Sequence, residues 1–258
     1  MGILNITPDS FSDGGIYGDT DAVLYKAEQM IKDGADILDV GGQSTRPGAE
    51  FVCPDEEFSR IADIVIKIKQ NFEIPLSVDT FYPEVAEQCA DLGADIINDV
   101  SGAVNEKMLQ IVKKYSCGYI VTDNLSTFHS NKLSVLHADD LSVSVPHKLK
   151  ELSEAAVNFG IDRECICIDP GLGFNKTTAD NMNILGNMDK LNFGFPILIG
   201  ASRKRFIGEL FDISEPIERD NATAVVSALC AVKGANILRV HDVLANKKTV
   251  DFAWEMYK

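Results

Sequence analysis

Short apolar runs alternate along this chain with longer stretches in which apolar residues recur every three or four positions. Eight such runs stand out: MGILN, DILDV, PLSVD, DIIND, GYIVT, CICID, PILIG and NILRV. Their brevity suits buried parallel strands. The periodicity between them, as at Asp21 to Lys32, Asp55 to Gln70, Pro83 to Leu92 and Asn221 to Lys233, predicts amphipathic helices. Eight strand–helix units predict an α/β fold, a closed (β/α)8 TIM barrel forming a single domain over residues 1–258. An open doubly wound sheet is the alternative, but no G-x-G-x-x-G follows the first run, as a dinucleotide fold would require. The triplets GAD and GAN precede three of the runs, at Gly34, Gly93 and Gly234, where a helix must stop before the chain re-enters the sheet. One long irregular stretch, DNLSTFHSNKLSVLHADD, follows the fifth run, and its length suggests a lid or an interface.

Active sites of such barrels lie at the C-terminal ends of the strands. In this chain those ends are polar: Asn5, Asp39, Asp79, Asn98 and Asp169, then Lys204 just past the seventh strand, and Arg239 with His241 on the eighth. Side chains alternate along a strand, so Arg239 shares a face with His241, Ser77 with Asp79, and Ile96 with Asn98. A single Asp or Asn at a strand end is ordinarily a turn or cap residue. The set has no such local explanation, because Asp79, Asp169, Lys204 and Arg239 would each need a partner once buried. A ligand carrying both anionic and hydrogen-bonding groups would supply one. Two loops at the same end, TPDSFSDGG and GGQSTRPG, are rich in Gly and hydroxyls and exceed the usual βα connection of about two to six residues. Cys165 and Cys167 have the parity of Asp169, which predicts that both fill the lumen beneath it. His129, His137 and His147 read as surface or packing residues, leaving His241 as the histidine with a functional context.

Charge sharpens this picture. Against 39 Asp and Glu stand 24 Lys and Arg, a net charge of −15 that disfavours nucleic acid and anionic membranes as partners. The basic residues gathered in STRPG, SRKR and RVH therefore suggest a local anion site, a positive funnel in an acidic protein. The 6 cysteines form no CxxC pair and no zinc-ligand spacing, as expected of reduced thiols. No leader pattern opens the sequence and no apolar run approaches the roughly 18 residues of a membrane span, so a soluble, cytoplasmic protein is expected.

The stretches MGILNITPDSFSDGG, DILDVGGQSTRPGA, SVDT, ADIINDVSG, IDPGLGFNKT, GASRKRFIG and ILRVHDV, in this order and covering most of the chain, resemble the dihydropteroate synthase family, pterin-binding barrel enzymes of folate synthesis. The resemblance implies a transferase that condenses 7,8-dihydropterin pyrophosphate with p-aminobenzoate to give 7,8-dihydropteroate and pyrophosphate. It also implies a Mg2+ cofactor, sensitivity to sulfonamides, and a homodimer through helices of the second half. By position it assigns Asp79, Asn98, Asp169, Phe174 and Lys204 to the pterin, and Asn5, Arg239 and His241 to the pyrophosphate, with Asn5 also near the metal. It assigns Ser44, Thr45, Arg46, Pro47, Lys204 and Arg205 to p-aminobenzoate. The catalytic set it implies is Asp13, Asp79, Lys204, Arg239 and His241.

The chain also departs from the family's pattern. After the fifth strand the family typically reads Met-His-Met, one Met packing on the pterin ring, whereas this chain reads Thr122-Asp123-Asn124. Relatives usually carry a hairpin ahead of this Met1, beneath the barrel floor. Arg205 stands where many members have Ser, and Asn175 where Gly is commoner. Two other functions follow from weighting these departures. A methyltetrahydrofolate:corrinoid methyltransferase would keep the Asp79 and Asn98 contacts but has no use for STRPG or SRKR. A non-catalytic pterin-binding relative would fit the altered VTDNLSTFHSN stretch.

Overall fold

The computed structural model describes residues 1–6, 20–44, 51–125 and 140–257. Each apolar run forms a parallel strand: β1 (Gly2–Asn5), β2 (Leu38–Gly41), β3 (Leu76–Thr80), β4 (Ile96–Asp99), β5 (Gly118–Thr122), β6 (Ile166–Asp169), β7 (Leu198–Ile199) and β8 (Ile237–Leu238). Strands β1 to β6 pair in sequence order, and β7 pairs with β8. Two parallel bridges, Ile168 with Ile197 and Gly2 with Val240, join these sheets on both sides and close the ring. The Ile168 N–H donates to Pro196 O at 2.9 Å and the Ile3 N–H to Val240 O at 2.9 Å. A closed ring leaves no edge strand to template further pairing.

Strand parity explains why the runs look uniformly apolar. Ile120, Cys167 and Leu198 point into the lumen and pack with Met1, Ile37, Ile96 and Ile237. The alternate residues, among them Leu4, Val40, Val78, Ile97, Val121 and Ile168, are buried under the helices. Both faces of each strand are thus covered, as parallel sheets require.

The helices are α1 (Thr20–Lys32), α2 (Pro54–Asn71), α3 (Pro83–Asp91), α4 (Glu106–Tyr115), α5 (Leu141–Phe159), α6 (Thr178–Gly186), α7 (Arg205–Phe211), α8 (Asp220–Val232) and α9 (Val243–Tyr257). The four segments expected from periodicity agree with α1, α2, α3 and α8 to within one residue at either end. Between β7 and β8 there are two helices rather than one, because α7 stops at Asp212 in the left-handed region (φ 55°) and Pro216 opens a new turn. Before β2, β4 and β8 the same stop recurs. Gly34, Gly93 and Gly234 have φ of 96°, 97° and 96°. The N–H groups of Ala35, Ala94 and Ala235 each reach back to a carbonyl in the last helical turn, at 2.9, 3.0 and 2.9 Å. This is the hydrogen-bonded glycine cap in which only a residue tolerating positive φ is unstrained.

Two expectations need correction. Cys167 does lie in the lumen, but Cys165 is exposed, because Arg163–Cys165 forms a 3-10 turn before β6 begins. Cys53 is exposed as well, so only Cys89, Cys117, Cys167 and Cys230 are core thiols. His147 is a surface residue as expected, near Glu151. His129 and His137 fall outside the described residues, as does most of the irregular stretch. Among the described residues no helix is long and apolar enough to cross a membrane.

One buried side chain on α2 has a measurable consequence. Glu57 is fully buried, and burial pushes its pKa up to about 7 against the lowering pull of the Thr80 hydroxyl. The folded protein therefore holds a proton that the unfolded chain releases, and stability falls as pH rises through the interval up to about 7. Glu57→Gln should flatten that slope, stabilising the protein at pH 8 by on the order of 3 kcal/mol; urea titrations from pH 5 to 8 read the difference.

Candidate active site

Above the apolar lumen layer, the strand ends carry polar groups on the same inward parity. Register aligns them: Asn5 lies opposite Gly41, Gly41 opposite Asp79, and Asp79 opposite Asn98, while Thr122 lies opposite Asp169. Arg239, just past β8, spans the opening. Its Nε donates to Asp39 Oδ2 at 2.6 Å, and its Nη2 to Asp79 Oδ2 at 2.5 Å. Asp39 is wholly buried.

Burial pushes the Asp79 carboxyl up to about 6; Arg239 pulls it down, Asp39 pushes it further up. Two aspartates thus share one guanidinium, and Arg239 is held firmly in its charged form by both. Asp169 is raised by burial and drawn back by Lys204, and its Oδ1 accepts the Gly171 N–H at 2.8 Å. Burial lowers Lys204 to about 8, against the pull of Asp169.

The SRKR segment divides its charges. Arg203, in the left-handed region at φ 58°, turns away from the mouth. Its Nε and Nη2 grip Asp220 at the start of α8, at 2.7 and 2.6 Å, and its N–H meets Thr223 Oγ1 at 3.2 Å. Lys204 consequently turns inward, where its Nζ donates to Leu172 O and sits 4.5 Å from the centre of the Phe174 ring. A side chain at Gly173 (φ 81°) would meet Lys204 Cδ at 2.7 Å. Arg205 does not join the site; it is 72% exposed and pairs with Glu209 at 3.2 Å on α7. His241 Nδ1 lies 2.9 Å from Ser202 Oγ, which also accepts the His241 N–H at 3.1 Å.

Among the described residues Asp39, Asp79 and Asp169 face Arg239 and Lys204, with Lys176 also acting on Asp169, so this part of the mouth alternates in charge. Several of its buried polar atoms have no protein partner: Asp39 Oδ1, Ser77 Oγ, Asp79 Oδ1, Asn98 Oδ1 and Thr122 Oγ1. Unmet groups of this kind cost about 1–3 kcal/mol each, and their clustering at one end of the barrel marks a ligand site.

The altered segment after β5 is also resolved into parts. Thr122 faces the mouth, but Asp123 points to Lys176, whose Nζ lies 2.8 Å from Asp123 Oδ2, 3.1 Å from Asp123 O and 3.0 Å from Gly171 O. Both side chains are buried. Asn124 Nδ2 donates to Val100 O at 2.7 Å. Asn175 adopts φ 49°, a conformation Gly takes freely and Asn tolerates, which accounts for either residue at that position.

Asn5 and Ser44 are half-buried at the rim. Asp13, Thr45, Arg46 and Pro47 lie outside the described residues. Sequence reading placed Asp39 in the mouth without seeing its role as a partner of Arg239, and passed over Ser202 and Lys176. The SRKR and GLGFNKT stretches contained both, but their contacts cross loops far apart in sequence.

The chain resembles known proteins along its whole length. The family model described as pterin binding enzyme matches residues 1–241. A dihydropteroate synthase of Bacillus subtilis (strain 168) is 42% identical over 248 residues, 94% of this chain and 83% of that protein. A Clostridium difficile dihydropteroate synthase solved in the presence of pteroic acid superposes with a TM-score of 0.90 at 37% identity, covering 99% of this chain and 95% of the other. A Xanthomonas albilineans dihydropteroate synthase solved with 4-aminobenzoic acid superposes with a TM-score of 0.91 at 38% identity, covering 99% and 91%.

The buried Asp123 and Lys176 pair generates a stability prediction. Lys176→Met strands a carboxylate in the interior and should cost about 3 to 5 kcal/mol in urea unfolding, whereas Asp123→Leu combined with Lys176→Met should recover most of that loss.

Proposed function

The chain belongs to the pterin-binding enzyme family, and we propose that it works as a dihydropteroate synthase, joining 7,8-dihydropterin pyrophosphate to p-aminobenzoate with release of pyrophosphate. The arc of buried, unpartnered acceptors on β2 to β4, facing Lys204 and Arg239, is the observation that carries this reading. A pterin presents N–H and amino donors along one edge and a carbonyl beside them. Asp79, Asn98 and Asp169 accept from the donors, and the Lys204 ammonium donates to the carbonyl. The unpartnered oxygens of Asp79 and Asn98 thereby gain donors.

In the reaction the p-aminobenzoate nitrogen attacks the pterin methylene carbon. The C–O bond to pyrophosphate breaks with its electron pair on the departing oxygen, and the nitrogen gives up a proton. Arg239 already spends Nε and Nη2 on Asp39 and Asp79, which leaves Nη1 as its donor to the leaving group. His241, oriented by Ser202, reaches the same side of the mouth. Asn5, with a hard amide oxygen at the rim, would hold a Mg2+ ion, which would offset the charge gathering on a leaving pyrophosphate. In this reading Ser44 and Lys204 contribute to binding p-aminobenzoate.

The quaternary reading rests on a different surface. Val225, Leu229 and Val232 of α8 and Leu244, Phe252, Trp254, Met256 and Tyr257 of α9 are all exposed. So many exposed apolar side chains on two adjacent helices suit a second copy of the chain, giving a homodimer. With a net charge of −15, neither nucleic acid nor an anionic membrane is a partner in this reading, and the location is cytoplasmic.

Pyrophosphate release from dihydropterin pyrophosphate and Mg2+ tests the function. Release should require p-aminobenzoate, be blocked by a sulfonamide, and fall roughly 100-fold or more in a folded Arg239→Ala variant. Release indifferent to p-aminobenzoate, or cobalamin-dependent methyl transfer in its place, would overturn the assignment. The pH profile of kcat/KM should be bell-shaped. It should fall below about pH 6, where Asp79 takes up a proton, and above about pH 8, where Lys204 loses one.

A further inference from the structure

Thr122 closes β5 at the centre of the mouth, and the roles assigned so far leave it without one. It has the parity of Ile120, which packs in the lumen with Cys167 and Leu198, so its side chain points inward. In register it lies opposite Asp169 on β6, while on the other side Asn98 of β4 lies opposite Ile120, one inward position below Thr122. It is wholly buried, and its Oγ1 has no hydrogen-bond partner. Neighbouring residues of the altered segment are engaged: Asp123 with Lys176 and Asn124 with Val100. Valine would fill the same shape in a strand without stranding a polar atom, so packing gives no reason for the hydroxyl.

The chemistry of the surroundings indicates what the hydroxyl meets. Asp79 and Asp169, when ionised, can only accept hydrogen bonds, whereas a threonine hydroxyl can donate. A flat heterocycle whose edge touches both Asn98 on β4 and Asp169 on β6 crosses β5, whose inward residues there are Ile120 and Thr122, and of these only Thr122 can hydrogen-bond. Lys204 serves the carbonyl, so the lone pair left to the Thr122 hydroxyl is that of a ring nitrogen on the same edge, which would otherwise face the carboxylates. We propose that Thr122 is a specificity-determining residue of this site, its hydroxyl donating a hydrogen bond to a lone-pair-bearing atom of the bound pterin between Asn98 and Asp169. The inference rests on the pterin reading above. It turns the polar segment after β5 from a lost apolar contact into a gained polar one.

Calorimetric binding of 7,8-dihydropterin pyrophosphate to the full chain, compared with Thr122→Val and Thr122→Ser, tests it. Thr122→Val should bind roughly 5- to 20-fold more weakly, and its KM for the pterin should rise while its KM for p-aminobenzoate stays unchanged. Its unliganded melting temperature should equal or exceed that of the unaltered protein, since an unmet hydroxyl has been removed. Thr122→Ser should restore most of the affinity. Equal binding by Thr122→Val would overturn the proposal, and so would a fall in its unliganded melting temperature without a change in affinity, which would make the hydroxyl structural. If the unaltered protein fails to bind dihydropterin pyrophosphate at all, the functional reading falls, and this inference with it.

Discussion

A single guanidinium bridging two buried carboxylates sets the terms for the rest of this molecule. Arg239 links β8 to β2 and β3 through Asp39 and Asp79, across residues 200 and 160 positions apart in sequence. The three charges are tolerable inside the barrel only together, because any one alone would be stranded in a medium that solvates it poorly. The ring of strands brings them within reach, and they in turn fix where a ligand meets charge and where it meets dipoles. On the other side of the mouth Asp169 and Lys204 act on each other's charge, while the Lys204 ammonium is held by Leu172 O.

This arrangement reconciles an acidic protein with an anionic substrate. Among the described residues attraction does not come from an excess of positive charge, since Asp39, Asp79 and Asp169 offset Arg239 and Lys204. It comes from orientation: the donors left over after internal pairing point one way, and the unpartnered acceptors point another. Such preorganisation is set before the ligand arrives and requires no rearrangement of the surroundings when charge moves during bond breaking.

Much of the architecture was legible in the sequence because its causes are local. Strand parity follows from a period of two, so the inward placement of Asp79, Asn98, Asp169 and Arg239 could be read from the runs themselves. Helix ends at Gly34, Gly93 and Gly234 could be read because a positive φ selects glycine. What escaped was pairing across distance. Nothing in SRKR says that Arg203 turns out to Asp220 while Lys204 turns in, and nothing near Asp123 says that Lys176 is its partner. Cys165 escaped for a smaller reason: the strand starts one residue later than the apolar run, and a 3-10 turn takes its place.

The thrice-repeated glycine turn divides the barrel into a foundation and a working surface. Below, the entry of β2, β4 and β8 is set by the same short-range hydrogen bonds, which depend on nothing at the opposite end. Above, every contact of consequence joins segments remote in the chain. Residues at the mouth outside the charge pairs, Thr122 among them, can therefore be exchanged without disturbing the instructions that build the ring beneath them. A fold so partitioned is free to change what it recognises while keeping how it assembles.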